Sequence, residues 1–189
     1  MAKELPGTLF LVVGNSGSGK DTIISGILKN YPSHLKQIYI PKRFITRPPS
    51  ETEKNVSVTS DEFKSMKKNG QFALKWHIYK LDYGIPIEID EWLKKGNPVL
   101  VNVSRTVVKK ARELYTNIKV VFIYVPLEIT INRLKERGRE RSELLKERID
   151  RAKNYQLFTE ADFIVNNLGE LKEAVDQLLN YIISVIMEN

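Results

Sequence analysis

Apolar residues recur along this chain with two periods. Short unbroken runs bounded by turn residues predict buried parallel strands: TLFLVV at 8–13 ending at Gly14, NPVLVNV at 97–103, and KVVFIYV at 119–125, the clearest of them. KQIYIP at 36–41 and ADFIVNN at 161–167 read as further strands, and FALKWHIYKLDY at 72–83 as strand material with a turn. Helical spacing takes over in DTIISGILKNY at 21–31, which runs up to Pro32, and in DEFKSMKKN at 61–69, with Ser60 as N-cap and Gly70 past its end. IPIEIDEWLKK at 85–95 reads as a helix opened by Pro86 and stopped by Gly96, followed by helical SRTVVKKARELY at 104–115 and PLEITINRLKER at 126–137. The final stretch, 168–189, is an amphipathic helix whose apolar run fits core packing rather than a membrane anchor. RFITRPPSETEKNVS at 43–57 has the prolines and polar residues of a long loop, and long loops in compact domains tend to be functional. Alternating strands and helices predict an α/β fold with a parallel sheet covered by helices on both faces.

The 189 residues suffice for one domain and are too few for two full ones, so a single unit is expected. Its core would be 1–41 and 86–189, with an inserted small lobe at about 42–85 and a lid at about 137–147. There are no cysteines, which excludes disulfides, thiolate metal sites and cysteine nucleophiles. No run approaches about 18 apolar residues and MAKELPG leads straight into a strand, so a cytoplasmic protein without membrane partners is expected. A formal charge of +7 points to anionic partners. Nucleic acid is not expected, because neither a basic face with interleaved aromatics nor a binding motif is present. Six of the ten arginines fall between Arg133 and Arg151. Such a cluster suits a phosphate clamp, and the interspersed Glu136, Glu140, Glu143, Glu147 and Asp150 equally suit a solvated helix face.

Gly14-Asn15-Ser16-Gly17-Ser18-Gly19-Lys20 fits G-x-x-x-x-G-K between a strand and a helix, the setting of a phosphate-binding loop in a P-loop NTPase fold. Glycines there let successive N–H groups and a helix N-terminus face an anion while Lys20 reaches the outer phosphates. Asp21 follows the lysine where Ser or Thr is usual, with a hydroxyl only at Thr22. Either Asp21, directly or through water, or Thr22 is the candidate Mg²⁺ ligand, and the sequence leaves that choice open. A small chain with one P-loop, an arginine-rich lid and an inserted lobe suits a kinase for a phosphorylated acceptor. An ionised phosphate needs no general base, in keeping with only two histidines, of which His34 reads as a surface residue and His77 as a core or rim residue that could touch substrate.

Across nearly the whole chain these motifs resemble the guanylate kinase superfamily: the P-loop, ITRPP at 45–49, SDEF at 60–63, NGQF at 69–72, YG at 83–84, RLKERGR at 133–139 and VNN at 165–167. Within it the chain is most similar to the ribose 1,5-bisphosphate phosphokinases of bacterial phosphonate breakdown. The carriers are GNSGSGKDT, RFITRP, WH at 76–77, EID at 88–90, VNVSR at 101–105 and RGRE at 137–140. The resemblance implies transfer of the γ-phosphoryl group of ATP to ribose 1,5-bisphosphate, giving 5-phosphoribosyl 1-diphosphate (PRPP), with Mg²⁺ as the metal. It also implies that Arg137 lies near the adenine and phosphates, that Arg133, Arg139 and Arg148 join Lys20 in clamping the transferring group, that Asn166 and Asn167 either approach the adenine or cap a loop, and that Tyr83 belongs to the acceptor pocket. Glu88 and Asp90 are candidates for ribose hydroxyls, for a metal-bound water or for simply opening a helix.

The positions where a guanylate kinase reads guanine are altered. The reading carboxylate is replaced by Leu74 or Lys75, the hydroxyl after Tyr-Gly by Ile85, the acidic residue after the following strand by Ser104 beside Arg105, and the tyrosine before SDEF by Asn55. None of Leu74, Lys75 or Ile85 can accept from the guanine edge, and lost hydrogen bonds there would cost several kcal/mol of discrimination. The same changes add cations, so Arg47 is the candidate for an acceptor phosphate, with Lys42, Arg43 and Arg105 as further partners. The alternatives are a nucleoside monophosphate kinase, guanylate kinase included, and a non-catalytic guanylate-kinase-like binding module. A homodimer is left open.

Overall fold

A computed structural model describes residues 2–49, 55–137 and 142–188. In chain order its elements are β1 (Leu9–Gly14), α1 (Lys20–Asn30), β2 (Phe44–Ile45), β3 (Val56–Ser57), α2 (Ser60–Lys68), β4 (Phe72–Ile78), β5 (Leu81–Pro86), α3 (Ile89–Lys94) and β6 (Val99–Asn102). A 3-10 turn at Arg105–Val107 then leads into α4 (Val108–Leu114), followed by β7 (Ile118–Tyr124), α5 (Leu127–Arg137), α6 (Ser142–Asn154), β8 (Phe163–Asn166) and α7 (Leu171–Glu188). The fold is α/β, with a parallel sheet flanked by helices. One sheet has the strand order β6-β1-β7-β8, and the other is mixed, in the order β3-β2-β5-β4.

The chain forms two compact units, Met1–Leu11 with Ser33–Ile118 and Val12–Pro32 with Lys119–Asn189. In the second, α7 buries Ala174, Val175, Leu178, Ile182 and Val185, one stripe of the amphipathic pattern. Gly26 of α1 meets this stripe so closely that a Cβ on it would stand 2.4 Å from Val175 Cγ2. Gly26→Ala would gain about 1 kcal/mol of helix propensity, but overpacking costs about 1–3 kcal/mol. We therefore expect a net loss of stability, read as a lower urea midpoint; an unchanged or higher midpoint would mean the two helices separate easily. At the sheet edge, β8 pairs with β7 on one side only, with Tyr124 opposite Asn166. The Gln177 side chain accepts from Asn166 N–H at 2.9 Å and donates to Asn166 C=O at 3.1 Å.

In the first unit several expected elements change. KQIYIP contracts to a single parallel bridge between Tyr39 and Val99, because Pro41 has no N–H with which to extend a ladder. The stretch expected as loop at 43–57 contains β2 and β3, each too short to show a period. Thr59, not Ser60, caps α2: its hydroxyl accepts from Glu62 N–H while the Glu62 carboxylate accepts from Thr59 N–H. From Ser60 the third helical residue would be Phe63, which cannot return that bond. Pro86 ends β5 instead of opening the helix, which starts at Ile89. The β4–β5 hairpin turns through Tyr79 and Lys80, both with positive φ as a two-residue hairpin turn demands.

The N-terminal segment is strapped to the same unit. Lys3 N–H donates to Leu114 C=O at 2.7 Å, its ammonium pairs with the Asp90 carboxylate, and Tyr115 OH donates to the other Asp90 oxygen at 2.7 Å. Burial, and then the Asp90 hydrogen bond, raise the Tyr115 pKa above its ordinary value; burial and then Glu88 do the same for Tyr39. An acid that holds its proton more tightly when folded contributes stability below its unfolded pKa and loses that contribution as pH rises past it. Stability should hold up to about pH 9 and fall above about pH 10 as the unfolded tyrosines ionise first. Urea midpoints across that range test this, with a shallower slope expected for Tyr115→Phe; an equal slope would assign the alkaline loss to other groups.

Candidate active site

In the second unit the loop between β1 and α1 curls through left-handed conformations at Gly17 (φ 83°) and Gly19 (φ 85°), which L side chains rarely adopt. A Cβ on Gly19 would also lie 2.7 Å from Asn167 Nδ2, so glycine is required there on two counts. Lys20 Nζ reaches back over the loop and donates to Gly14 C=O at 2.8 Å, Asn15 C=O at 2.9 Å and Ser18 Oγ at 3.3 Å. Together with the α1 N-terminus this is an anion cradle with an ammonium across its mouth. Asn167, buried just past β8, donates to Ser18 C=O at 2.9 Å and so braces the loop, in line with the loop-capping alternative. Asn166 beside it has an exposed side chain, its backbone being bound by Gln177.

The arginine cluster reaches this loop from two helices. Arg148 of α6 donates from Nη1 to Ser16 Oγ at 2.6 Å, and Arg133 Nη1 of α5 stands 4.0 Å from where a Gly19 Cβ would be. Asn15 Nδ2 donates to Tyr155 C=O at 3.2 Å, a second tie between the loop and the end of α6 that the sequence did not suggest. Arg139 lies outside the described residues, as does the Arg137 side chain. Asp21 and Thr22 lie exposed in the first turn of α1. A carboxylate and a hydroxyl are hard oxygen donors that suit Mg²⁺, which keeps several waters and needs few protein ligands. Among the described residues no group of three or more His, Asp or Glu is placed to hold a metal.

The candidate acceptor residues all lie in the first unit. Lys42 is exposed, while Arg43, Arg47 and Arg105 are half-buried. Arg43 donates from Nε to Asn55 Oδ1 at 3.3 Å and from Nη1 to Asn102 C=O at 3.4 Å. Tyr83 stacks on Trp76 with ring centroids 5.2 Å apart. Ser104 caps the 3-10 turn through Thr106, Glu88 accepts from Tyr39 OH, and Asp90 is held by Lys3 and Tyr115. His77, expected as a core or rim residue, has a mostly exposed side chain and pairs through Nδ1 with Asp82 at 2.9 Å. Asp82 in turn receives Thr46 N–H on its carbonyl at 3.1 Å and donates its own N–H to Thr46 Oγ1 at 2.8 Å. Asn102 and the Thr46–Asp82 pair were not singled out from the sequence; only the VNVSR and ITRPP strings drew attention to their surroundings.

A family model described as guanylate kinase matches residues 7–185. The chain belongs to the guanylate kinase family. Among curated relatives, the "Ribose 1,5-bisphosphate phosphokinase PhnN" of Bradyrhizobium diazoefficiens is 34% identical, over 94% of this chain and 88% of the relative. Proteins of the same name from Psychromonas ingrahamii and Pseudomonas paraeruginosa are each 35% identical, over 92% and 89% of the two chains and over 94% and 96%, respectively. Among solved structures, a guanylate kinase from Anaplasma phagocytophilum has a TM-score of 0.70 at 18% identity, covering 99% of this chain and 89% of that one, which shows a shared fold.

Leu74 and Ile85 are partners across β4 and β5, 2% and 0% exposed, so both are packed into the core. Lys75, on the following residue, is exposed and opposite Gly84. Residue 74 is thus a hydrocarbon sealed from solvent and residue 75 an exposed cation, and neither side chain can accept a hydrogen bond.

Proposed function

We propose that this protein transfers the γ-phosphoryl group of ATP to the 1-phosphate of ribose 1,5-bisphosphate. An acceptor oxygen forms the new P–O bond, the β–γ bridge of ATP breaks, and 5-phosphoribosyl 1-diphosphate and ADP leave. The observation that carries this reading is the packed Leu74–Ile85 pair, neither of whose side chains can accept from a guanine edge, in a chain about 35% identical to proteins named for the bisphosphate. Gly14 to Thr22 would cradle the ATP phosphates, with Lys20 exchanging loop carbonyls for phosphate oxygens, and Asp21 or Thr22 would hold Mg²⁺, which supplies charge neutralisation. Arg133, Arg137, Arg139 and Arg148 would clamp the transferring group, with 137–147 as lid and 42–85 as acceptor lobe. Arg47 would bind the accepting phosphate, with Lys42 and Arg105 adding charge, and Tyr83 and Glu88 would contact the sugar. Asp90 is given a structural role instead.

The test is ADP release with Mg-ATP against ribose 1,5-bisphosphate, GMP, dGMP, AMP and UMP, with product masses confirmed. Selective turnover of the bisphosphate is the expected result; preferential turnover of GMP would mean that other groups read guanine. Arg47→Ala should raise the acceptor KM about tenfold or more while leaving the ATP KM within about twofold. Equal effects on both would remove Arg47 from the acceptor site.

A further inference from the structure

A cation that clamps a transferring phosphoryl group lowers the barrier only if it is held where the charge develops, so Arg148 must be fixed against the phosphate loop. We infer that Asn15 does this: it is the positioning residue for Arg148, and it acts through the C-terminal end of α6. The inference rests on the place given to Arg148 in the proposed function and adds a residue that works from behind it.

Two consecutive loop residues meet α6 in opposite senses. The helix donates to the loop, from Arg148 Nη1 to Ser16 Oγ at 2.6 Å, and the loop donates to the helix, from Asn15 Nδ2 to Tyr155 C=O at 3.2 Å. Tyr155 N–H donates to Arg151 C=O at 3.1 Å, so the chain is still wound helically at this point. Residues 148, 152 and 155 follow the i, i+4, i+7 spacing of one helix face, and Ala152, between the two ties, is 1% exposed. The step from 148 to 155 rises about 10 Å, so the loop grips this face at points two turns apart. One tie would let the helix swing about it; two fix both its place and its direction.

The last carbonyls of a helix have no partner within it and form its negative end, which favours a donor there. Tyr155 C=O is one of these, and the Asn15 amide supplies a donor without charge, whereas an aspartate in the same place would present acceptors only. The main chain of Asn15 is engaged as well: its carbonyl accepts from Lys20 Nζ at 2.9 Å and from Ser18 N–H at 3.1 Å. One residue thus joins the ammonium of the loop to the helix that carries Arg148, and two cations assigned to the ATP phosphates share an anchor. The Asn15 tie does not use the guanidinium, so it can persist when Arg148 exchanges Ser16 Oγ for a phosphate oxygen.

The experiment measures kcat and the ATP KM of wild-type protein, Asn15→Leu, Asn15→Gln, Arg148→Lys and the Asn15→Leu/Arg148→Lys pair, with ribose 1,5-bisphosphate as acceptor and thermal unfolding as the control for folding. Leucine keeps the shape of asparagine without the donor, and glutamine keeps the amide; Asn15→Ala replaces the leucine variant if that one melts early. Asn15→Leu should lower kcat about tenfold with the ATP KM within about threefold, and Asn15→Gln should keep about a third or more of the wild-type rate. In the Arg148→Lys background, where the guanidinium is already gone, the same leucine should cost less than about twofold, because residues that act through one another are not additive. A tenfold loss in both backgrounds, an unchanged kcat, or an ATP KM that rises as much as kcat falls overturns the inference and leaves Asn15 shaping the loop alone. Arg148→Lys with the wild-type rate overturns the clamp assignment, and the inference with it. Wild-type protein that turns over GMP in preference to the bisphosphate overturns the proposed acceptor only, and the same comparison is then read with GMP.

Discussion

Replacing Lys20 with alanine is expected to lower kcat/KM by about a thousandfold or more, roughly 4 kcal/mol of transition-state stabilisation. Lys20 is the only side chain in Gly14–Thr22 that carries a positive charge, and its ammonium already spans the loop from Gly14 C=O to Ser18 Oγ. Phosphoryl transfer offers little covalent chemistry for a protein to do, so loss of a positioned cation falls directly on the barrier. Removing the lysine also leaves the Gly14 and Asn15 carbonyls without this donor, so some loss of loop order accompanies the loss of charge. ADP release under saturating ATP separates the two: if the rate recovers at high nucleotide, the lysine serves binding alone. A variant that keeps more than about a tenth of wild-type activity under those conditions would contradict the assignment.

Asp90→Ala should produce the largest loss of stability of the substitutions considered, about 2–3 kcal/mol, with the acceptor KM unchanged. The side chain is 13% exposed and ties three parts of one unit together: the N-terminal strap through Lys3, α3 through its own backbone, and the end of α4 through Tyr115. The Lys3 side chain is 37% exposed, so water screens that pair and most of the effect comes from leaving the Tyr115 hydroxyl buried without its carboxylate. Thermal unfolding and acceptor kinetics on the same preparation decide the matter. A stable variant with a raised acceptor KM would return Asp90 to the substrate site that its position in the EID string suggests.

Asp90 shows where reading the chain alone reaches its limit. The phosphate loop was legible because everything it needs is local: glycines at the positions that turn left-handed, a lysine at a set offset, a strand before and a helix after. Glu88 and Asp90 are separated by one residue and look alike in sequence, yet their partners, Tyr39 in one case and Lys3 and Tyr115 in the other, lie 49, 87 and 25 residues away. Arg148 is similar: the cluster was visible, but which of its members meets the loop depends on a contact with Ser16 across 132 residues. Two-residue strands such as β2 and β3 are legible to no period at all, because a period needs repetition. Leu74 and Ile85 were legible as apolar residues where the resemblance implies a guanine reader, and the fold adds that they are strand partners buried in the core.

The side-chain amide of Gln177 offers β8 the same donor and acceptor that a neighbouring peptide would. An outer strand with unclaimed N–H and C=O groups invites the strand of another molecule, and here Ile164, 46% exposed on that strand, would add an apolar lure. One glutamine on a helix therefore serves as a decoy strand, and its consequence lies in how the protein keeps in concentrated solution: Gln177 is a residue to leave untouched when the surface is redesigned for storage or crystallisation.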